Sequence, residues 1–263
     1  MNSDKSRLCL SVIIPAYNEK RTTRQIVERV LALPNLLEIV FVDDCSQDGT
    51  LEIAEDLAKS EPRLRVIHHE RNRGKTEALK TGFAASRGEI VIVQDADLEY
   101  SPKDIPGLIE LILDGDADVV FGSRFQVRRA ARVLYYYHYL ANKLLTCMSD
   151  VFTNLNLTDV ETGYKAFRGE IIRSMVITSS GFGFEIEVTA KVSKLKCAIY
   201  EVPISYYGRT YEEGKKIGMK DGIAALWYVL YYNVLVSSEK SFRNFKQLQA
   251  GLTSASLARS DAD

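Results

Sequence analysis

Two carboxylates with one residue between them, Asp95 and Asp97, follow the apolar run 90–93 after a single glutamine. In a turn that follows a strand, the two carboxylates of such a pair can point in the same direction. This suits Mg²⁺ or Mn²⁺ on a diphosphate, because these cations prefer oxygen ligands and keep positions open for substrate. Glu99 offers a third oxygen. Aspartate-rich turns more often cap helices than bind metals, but the position behind a strand and the neighbouring motifs favour a metal site.

Two polar segments nearer the amino terminus could contact other parts of a phosphorylated ligand. Asp43 and Asp44 can accept N–H groups of a nucleobase or ribose hydroxyls, or can cap the next helix, and the residue types leave both interpretations open. The segment 72–75 opens a predicted helix, so its backbone N–H groups and Lys75 are candidates for binding phosphate. The alternative for 72–75 is a solvated basic turn.

Short apolar runs alternate with helix-length segments through the first half of the chain, which is typical of a parallel α/β sheet. The predicted strands of this half are 8–14, 38–42, 64–67, 89–93 and 118–121. Beyond residue 125 longer amphipathic stretches dominate, with short strands predicted at 164–167 and 199–203. Open parallel sheets bind ligands at the carboxyl ends of their strands, so the polar clusters are expected to converge on one edge.

Composition excludes several classes of protein. The chain has 263 residues, and its 34 Lys and Arg nearly balance its 35 Asp and Glu. Nucleic-acid binders usually carry a basic excess, so no nucleic-acid partner is expected. Four widely spaced cysteines predict neither a zinc cluster nor disulfides and suit the cytosol. The amino terminus lacks the features of a signal peptide, and no apolar stretch reaches the roughly 18–20 residues of a spanning helix.

Two segments of the second half predict surface contacts. The basic and tyrosine-rich segment 128–145 predicts an amphipathic helix on a membrane surface, with a buried core helix as the alternative. The apolar segment 223–236 is too short to span a bilayer and predicts a docking face or a contact in a homo-oligomer.

The domain organisation is predicted to be simple. No stretch rich in Pro, Gly or Ser separates the halves of about 8–125 and 126–236, so a single domain over 1–248 is expected. The small polar residues of 249–263 predict a disordered tail.

Five motifs in order resemble those of the family 2 glycosyltransferases, and most closely the dolichol-phosphate mannose synthase branch with its polyprenyl-phosphate glycosyltransferases. They are SVIIPAYNE (11–19), VDDCSQDGT (42–50), NRGK (72–75), QDADLE (94–99) and GSRF (122–125). Each motif is weak alone, but five in register are specific, and the resemblance covers about residues 8–235. It implies an α/β GT-A fold that binds a nucleoside diphosphate sugar and inverts the anomeric centre.

The resemblance also implies a donor site. Contacts to the nucleotide sugar are implied for Pro15, Tyr17, Glu19, Asp43, Asp44, Lys75, Asp95, Ala96 and Asp97. Asp95 and Asp97 would hold the metal. Glu99 stands where the branch commonly has glutamine, so its role as a third ligand is a separate expectation.

Contacts to an acceptor phosphate are implied for Arg124 of the G-S-R motif. The basic segment 209–216 adds Arg209, Lys215 and Lys216, although its spacing differs from the branch and it lacks the serine. His138 and Asn142 stand where mannose synthases tend to place an arginine and a serine, which leaves the acceptor open.

The leading hypothesis is a metal-dependent transfer of a hexose from a GDP- or UDP-sugar to a polyprenyl phosphate at the cytoplasmic face of the membrane. A phosphate acceptor is already anionic at neutral pH, so it needs cations rather than a base, and Asp97 and Arg124 carry the catalytic roles. A hydroxyl acceptor would need a carboxylate base. The candidates are Glu185 and Asp159, whose alternatives are a helix-start charge and a cap. A non-catalytic nucleotide-sugar-binding protein is the third hypothesis, and the intact Asp95 and Asp97 pair argues against it.

Overall fold

A computed structural model describes residues 7–126, 135–181, 183–208 and 219–260. Within these ranges seven strands form one sheet in the order β3-β2-β1-β4-β6-β5-β7. The strands are β1 (Leu10–Ala16), β2 (Leu36–Asp43), β3 (Leu64–His68), β4 (Ile90–Val93), β5 (Val119–Ser123), β6 (Lys165–Arg168) and β7 (Ile199–Pro203). Each strand begins and ends within two residues of its predicted position, and the prediction of a mixed, mainly parallel α/β sheet is confirmed.

One strand runs against the others. β6 is antiparallel to both of its neighbours, β4 and β5, whereas the remaining neighbours pair in parallel. The amino end of β6 therefore lies at the sheet edge that holds the carboxyl ends of the parallel strands. We call this edge the rim; it consists of residues 17–19, 44–49, 94–101, 124–126 and 158–164.

Helices cover both faces of the sheet. They are α1 (Lys20–Leu31), α2 (Thr50–Ser60), α3 (Lys75–Ala85), α4 (Ile105–Leu113), α5 (Tyr136–Thr153), α6 (Gly169–Ser174), α7 (Phe184–Ser193), α8 (Met219–Leu230), α9 (Ser238–Ser241) and α10 (Phe245–Ser260). Side chains alternate across a strand, so Val12 and Ile14 of β1 join the core formed with α1 and α4, whereas Ile13 joins the core formed with α3, α7 and α10. Packing on both faces of the sheet therefore fixes the positions of the strands whose ends form the rim.

Helices α5 and α8 pack on α7 through a smaller core that includes Leu145, Ile186 and Val229. Exposed apolar side chains on α5, on α8 and on the π-helical turn after it form what we call the apolar face: Tyr136, Tyr137, Leu140, Leu144, Val151, Trp227, Tyr231, Val234 and Leu235. Of the helix predicted at 128–145, residues 128–134 lie outside the described ranges. Across the ranges that the structure describes, no helix combines the length and apolarity needed to cross a membrane.

The carboxyl-terminal segment differs from its prediction. α10 extends to Ser260, whereas a disordered tail was expected from residue 249. Leu248 and Leu252, four residues apart, are both buried and pack into the core that contains Phe242 and Phe245. This pair, one helical turn apart, packs the first half of α10 against the core.

Candidate functional site

The rim contains a cavity of about 490 Å³, a volume typical of small-molecule sites. Its walls come from the loops behind β1, β2, β4 and β5, from the segment before β6, and from the first turns of α3 and α7. It is lined by Pro15, Ala16, Tyr17, Glu19, Asp44, Asn72, Gly74, Lys75, Ala78, Asp95, Ala96, Asp97, Glu99, Tyr100, Arg124, Glu161, Gly163, Glu185 and Tyr206. The predicted convergence of polar clusters therefore occurs, and most of the predicted donor-site residues meet there.

The loops that follow β1 and β2 are hydrogen-bonded to each other at one end of the cavity. The Asn18 amide N–H donates to Ser46 Oγ at 2.9 Å, and the Gln47 N–H donates to Asn18 Oδ1 at 2.9 Å. Asn18 and Cys45 both have positive φ angles, of 56° and 65°. Such backbone conformations are uncommon for residues other than glycine and concentrate at functional loops.

Neighbouring aspartates at the end of β2 have different surroundings. Asp44 lines the cavity, and its carboxylate accepts from the N–H groups of Arg73 at 2.9 Å and Gly74 at 2.7 Å and contacts His69 Nδ1 at 2.7 Å. Two amides of the segment expected to bind phosphate are thus engaged by Asp44. Asp43 is fully buried, accepts from the Ser46 N–H at 3.0 Å, and does not line the cavity.

A partly exposed cation lies between two carboxylates in the cavity. Lys75 Nζ is 2.9 Å from Asp95 Oδ1 and 3.4 Å from Glu185 Oε1. Burial alone would lower the pKa of this ammonium, but the charges of Asp95 and Glu185 raise it above its ordinary value. Gly163 allows the close approach of Asp95, because a Cβ at residue 163 would lie 2.8 Å from Asp95 Oδ2.

The predicted metal pair lines the cavity together with Glu99. Glu99 Oε2 accepts a hydrogen bond from the Tyr206 hydroxyl at 2.8 Å. No group of three or more His, Cys, Asp and Glu side chains in the described ranges is placed to hold a metal ion, so Glu99 does not complete a protein-only site there. Magnesium is commonly held by one or two carboxylates plus substrate phosphates, and Asp95 and Asp97 fit that arrangement.

Arg124 is held in the cavity wall by a two-pronged ion pair. Its Nε and Nη2 atoms lie 2.6 and 2.7 Å from the two carboxylate oxygens of Asp159. Asn142 Nδ2 donates to the same carboxylate at 3.0 Å. Burial alone would raise the pKa of Asp159, but the charge and hydrogen bonds of Arg124 lower it below its ordinary value. Asp159, a candidate base in the sequence, is therefore the partner of Arg124, and neither it nor Asn142 lines the cavity.

Two titratable residues at this end of the cavity were missed by the sequence analysis. Glu161 lines the cavity, and burial together with the charge of Glu185 raises its pKa to about 7. Lys165 is fully buried and donates to the carbonyls of Val160 at 2.9 Å and Thr162 at 2.6 Å. Burial lowers the pKa of Lys165 to about 8. The signal available in the sequence was the strand predicted at 164–167, but its direction was unknown.

The remaining acceptor candidates are not placed in the cavity by the structure. His138 packs on the Tyr135 ring, with 6.0 Å between ring centroids, and does not line the cavity. Arg209, Lys215 and Lys216 lie outside the described ranges.

Comparison with known sequences gives consistent matches. Residues 11–175 match a family model described as glycosyl transferase family 2. An undecaprenyl-phosphate mannosyltransferase from Micrococcus luteus is 31% identical to this chain, across 82% of it and 94% of the relative. A polyprenol monophosphomannose synthase from Mycolicibacterium smegmatis is also 31% identical, across 79% and 80%. A dolichol-phosphate mannosyltransferase from Pyrococcus furiosus is 32% identical, across 80% of this chain and 59% of the relative.

Solved structures share the fold at lower identity. Glucosyl-3-phosphoglycerate synthase from Mycobacterium tuberculosis, in complex with UDP, has a TM-score of 0.67 and 22% identity, with 90% of this chain and 83% of that one covered. The same protein in complex with Mn²⁺, UDP and phosphoglyceric acid also has a TM-score of 0.67, at 21% identity, with 90% and 82% covered. Mannosyl-3-phosphoglycerate synthase from Rubrobacter xylanophilus has a TM-score of 0.66 and 20% identity, with 86% and 72% covered.

Proposed function

This chain belongs to glycosyltransferase family 2 and has the GT-A fold, and we propose that it transfers a hexose from a nucleoside diphosphate sugar to a polyprenyl phosphate. The observation that carries the proposal is the single cavity shared by Asp95, Asp97, Lys75 and Arg124. Three relatives of about 31% identity are named for mannosyl transfer to polyprenyl or dolichyl phosphates. Together these support a donor site and a cationic group for an acceptor phosphate.

The donor would lie along the cavity in the order of the strands. The loops behind β2 and β1, with Asp44 and Tyr17, would bind the nucleoside. Asp95 and Asp97 behind β4 would hold a divalent metal, which neutralises the charge that develops on the departing diphosphate when it is bound. Lys75 is held as a cation between Asp95 and Glu185, so it offsets part of the negative charge that gathers there when a diphosphate binds.

The ion pairs of the site favour an acceptor that brings its own negative charge. Asp159 is fully buried and occupied by Arg124, and Glu185 is paired with Lys75. Neither carboxylate is arranged as a free base for a hydroxyl group, whereas a phosphate acceptor needs none. Arg124 lines the cavity and keeps its charge, because the nearby Asp159 raises the pKa of the guanidinium against the effect of burial.

A polyprenyl acceptor must be met at a lipid surface, and the apolar face suits this. Tyr and Trp side chains are enriched at membrane interfaces, because each combines an apolar ring with a polar group that can contact water. The ring of Phe125, the residue after Arg124, packs on Tyr139 of α5 with 5.1 Å between centroids, and Tyr139 is followed in α5 by Leu140 of the apolar face. A lipid phosphate near Arg124 would therefore leave its chain on the side of α5.

The proposal is tested by transfer assays with the full chain. The chain is incubated with Mg²⁺ or Mn²⁺, a panel of GDP- and UDP-hexoses, and either polyprenyl phosphate or hydroxyl acceptors. Transfer to polyprenyl phosphate with one donor is expected. Sugar found only on hydroxyl acceptors, or no turnover with any pair, would overturn the proposal.

The metal assignment is tested with Asp97→Ala, which should lower metal-dependent turnover by about a hundredfold or more, since charge stabilisation of the leaving group is lost. The control is Asp116→Ala, an exposed aspartate before the amino end of β5, at the sheet edge opposite the rim. Equal thermal unfolding of both variants would show that the fold is retained. Unchanged turnover in Asp97→Ala would show that Asp97 does not serve the metal.

A further inference from the structure

The order of the strands in the sheet determines the order in which the loops at their ends line the cavity. From one side of the sheet to the other, the rim receives the loops behind β2, β1 and β4, then the segment before β6, then the loop behind β5. If the nucleoside lies over β2 and β1 and the diphosphate at Asp95 and Asp97, the transferred sugar extends toward β6. This inference therefore rests on the proposed function.

Glu161 lies in that segment and has an unsatisfied oxygen. Its side chain lines the cavity, yet within the described residues its Oε1 atom is buried and has no hydrogen-bond partner. A buried polar atom without a partner is energetically costly, and such an atom in a folded protein calls for an explanation such as a functional role. The last torsion of a glutamate side chain is soft, so a small rotation presents either oxygen to the cavity.

We propose that Glu161, together with Glu185, binds hydroxyl groups of the transferred sugar and makes the enzyme select donors whose sugar carries no negative charge. Glu185 lines the same end of the cavity. A hydroxyl group both donates and accepts hydrogen bonds, so it satisfies Glu161 in either protonation state, which matters because the pKa of Glu161 is raised to about 7.

The charges around this end of the cavity explain the selectivity. Among the described residues, the neighbouring cations already have carboxylate partners: Lys75 has Asp95 and Glu185, and Arg124 has Asp159. Lys165 donates to two backbone carbonyls from its buried position. Within the described residues, a carboxylate on the sugar would face the carboxylates of Glu161 and Glu185, and like charges held close in a poorly solvated site repel.

The test measures donor binding rather than turnover, so it does not depend on the acceptor. Calorimetry with Mn²⁺ compares UDP-glucose with UDP-glucuronate, GDP-mannose with GDP-mannuronate, and each with the free nucleoside diphosphate. The wild-type chain should bind the neutral sugar of one pair at least tenfold more tightly than its uronate. Glu161→Ala should weaken binding of that neutral nucleotide sugar about tenfold and leave the nucleoside diphosphate within about twofold.

Glu161→Gln separates hydrogen bonding from charge. It should retain more affinity for the neutral sugar than Glu161→Ala and should reduce the discrimination against the uronate several-fold. Glu170→Gln, exposed at the start of α6, is the matched control and should change neither value. Equal losses for nucleotide sugar and nucleoside diphosphate, or no loss for either, would overturn the role of Glu161. Failure of the wild-type chain to bind any nucleotide sugar would overturn the proposed function itself.

Discussion

At the scale of single residues, the ion pair between Arg124 and Asp159 stabilises the fold and also holds Arg124 in the wall of the cavity. Asp159 is fully buried, and the Arg124 side chain is only 14% exposed. Removing one partner of a buried ion pair leaves the other charge uncompensated. Asp159→Asn should therefore lower the free energy of unfolding by about 3 kcal/mol, measured by urea denaturation at pH 7.

The pH dependence of that loss follows from the lowered pKa of Asp159. The carboxylate contributes stability above its unfolded pKa of 3.8, and this contribution is lost as the pH falls toward the lower folded value. The difference between wild type and Asp159→Asn should thus be constant from pH 8 to 5 and shrink below about pH 4. Asp56→Asn, which removes exposed contacts with Arg24 at 3.7 Å and Lys59 at 3.6 Å, should cost less than about 0.5 kcal/mol. Equal losses of unfolding free energy in Asp159→Asn and Asp56→Asn would show that the pair of Arg124 and Asp159 stabilises the fold no more than an exposed ion pair does.

Glu161 should show the opposite pH dependence. Burial and the charges of Glu185 and Asp159 outweigh those of Arg124 and Lys165, and the pKa of Glu161 rises from 4.5 to about 7. Between these values the folded chain binds more protons than the unfolded chain, so stability falls as the pH rises.

Glu161→Gln removes this ionisation. Its stability relative to wild type should rise by up to about 2 kcal/mol between pH 5 and pH 8, measured as the difference in urea unfolding free energies. Glu170→Gln should run parallel to wild type over the same range. A Glu161→Gln curve that also runs parallel would show that Glu161 has an ordinary pKa in the folded protein.

At the scale of elements, strand direction decided what the sequence could predict. Apolar runs place β1, β4 and β5 and thereby bring Asp95 and Arg124 to the rim, because parallel strands end at one edge. The four-residue run of β6 contains no signal of direction, so its antiparallel insertion and the position of Glu161 were not predictable. Similarly, side chains alternate along a strand end, and nothing in the sequence tells which of Asp43 and Asp44 lines the cavity.

Helices α5 and α8 carry a prediction about membrane contact. Trp227 and Val234 are 56% and 63% exposed on the apolar face, and transfer of such side chains into the interface contributes to binding in proportion to the apolar area buried. The double variant Trp227→Ser and Val234→Ser should reduce sedimentation with vesicles containing polyprenyl phosphate by about tenfold or more. Calorimetric affinity for the nucleotide sugar should not change, because neither residue lines the cavity.

Tyr200→Ser provides the control for that experiment, since Tyr200 is 44% exposed but lies on β7 at the edge of the sheet. It should leave vesicle binding unchanged. If the double variant binds vesicles like wild type but shifts the oligomeric state, the apolar face is a contact between copies of the chain instead.

At the scale of the whole molecule, the rim and the carboxyl-terminal helix depend on the same sheet. α10 adds Leu248 and Leu252 to the core that also holds Ile13, Val93 and Phe184, the last of which begins the helix carrying Glu185. Composition predicted disorder for 249–263 because polar residues outnumber apolar ones there. Composition cannot show that the core offers an apolar surface on which Leu248 and Leu252 pack. This tertiary packing outweighs the weak local preference of the segment for disorder.

Truncation tests how much α10 contributes to the whole fold. Removing residues 249–263 deletes Leu252, a side chain only 4% exposed, and exposes the core against which it packs. Loss of a buried leucine costs about 2–5 kcal/mol, so the free energy of unfolding should fall by about that amount in urea titrations followed by circular dichroism. A chain that lacks only residues 261–263 should match wild type. If the longer truncation also matched wild type, residues 249–260 would contribute no packing energy, and the disordered tail expected from composition would be the better description.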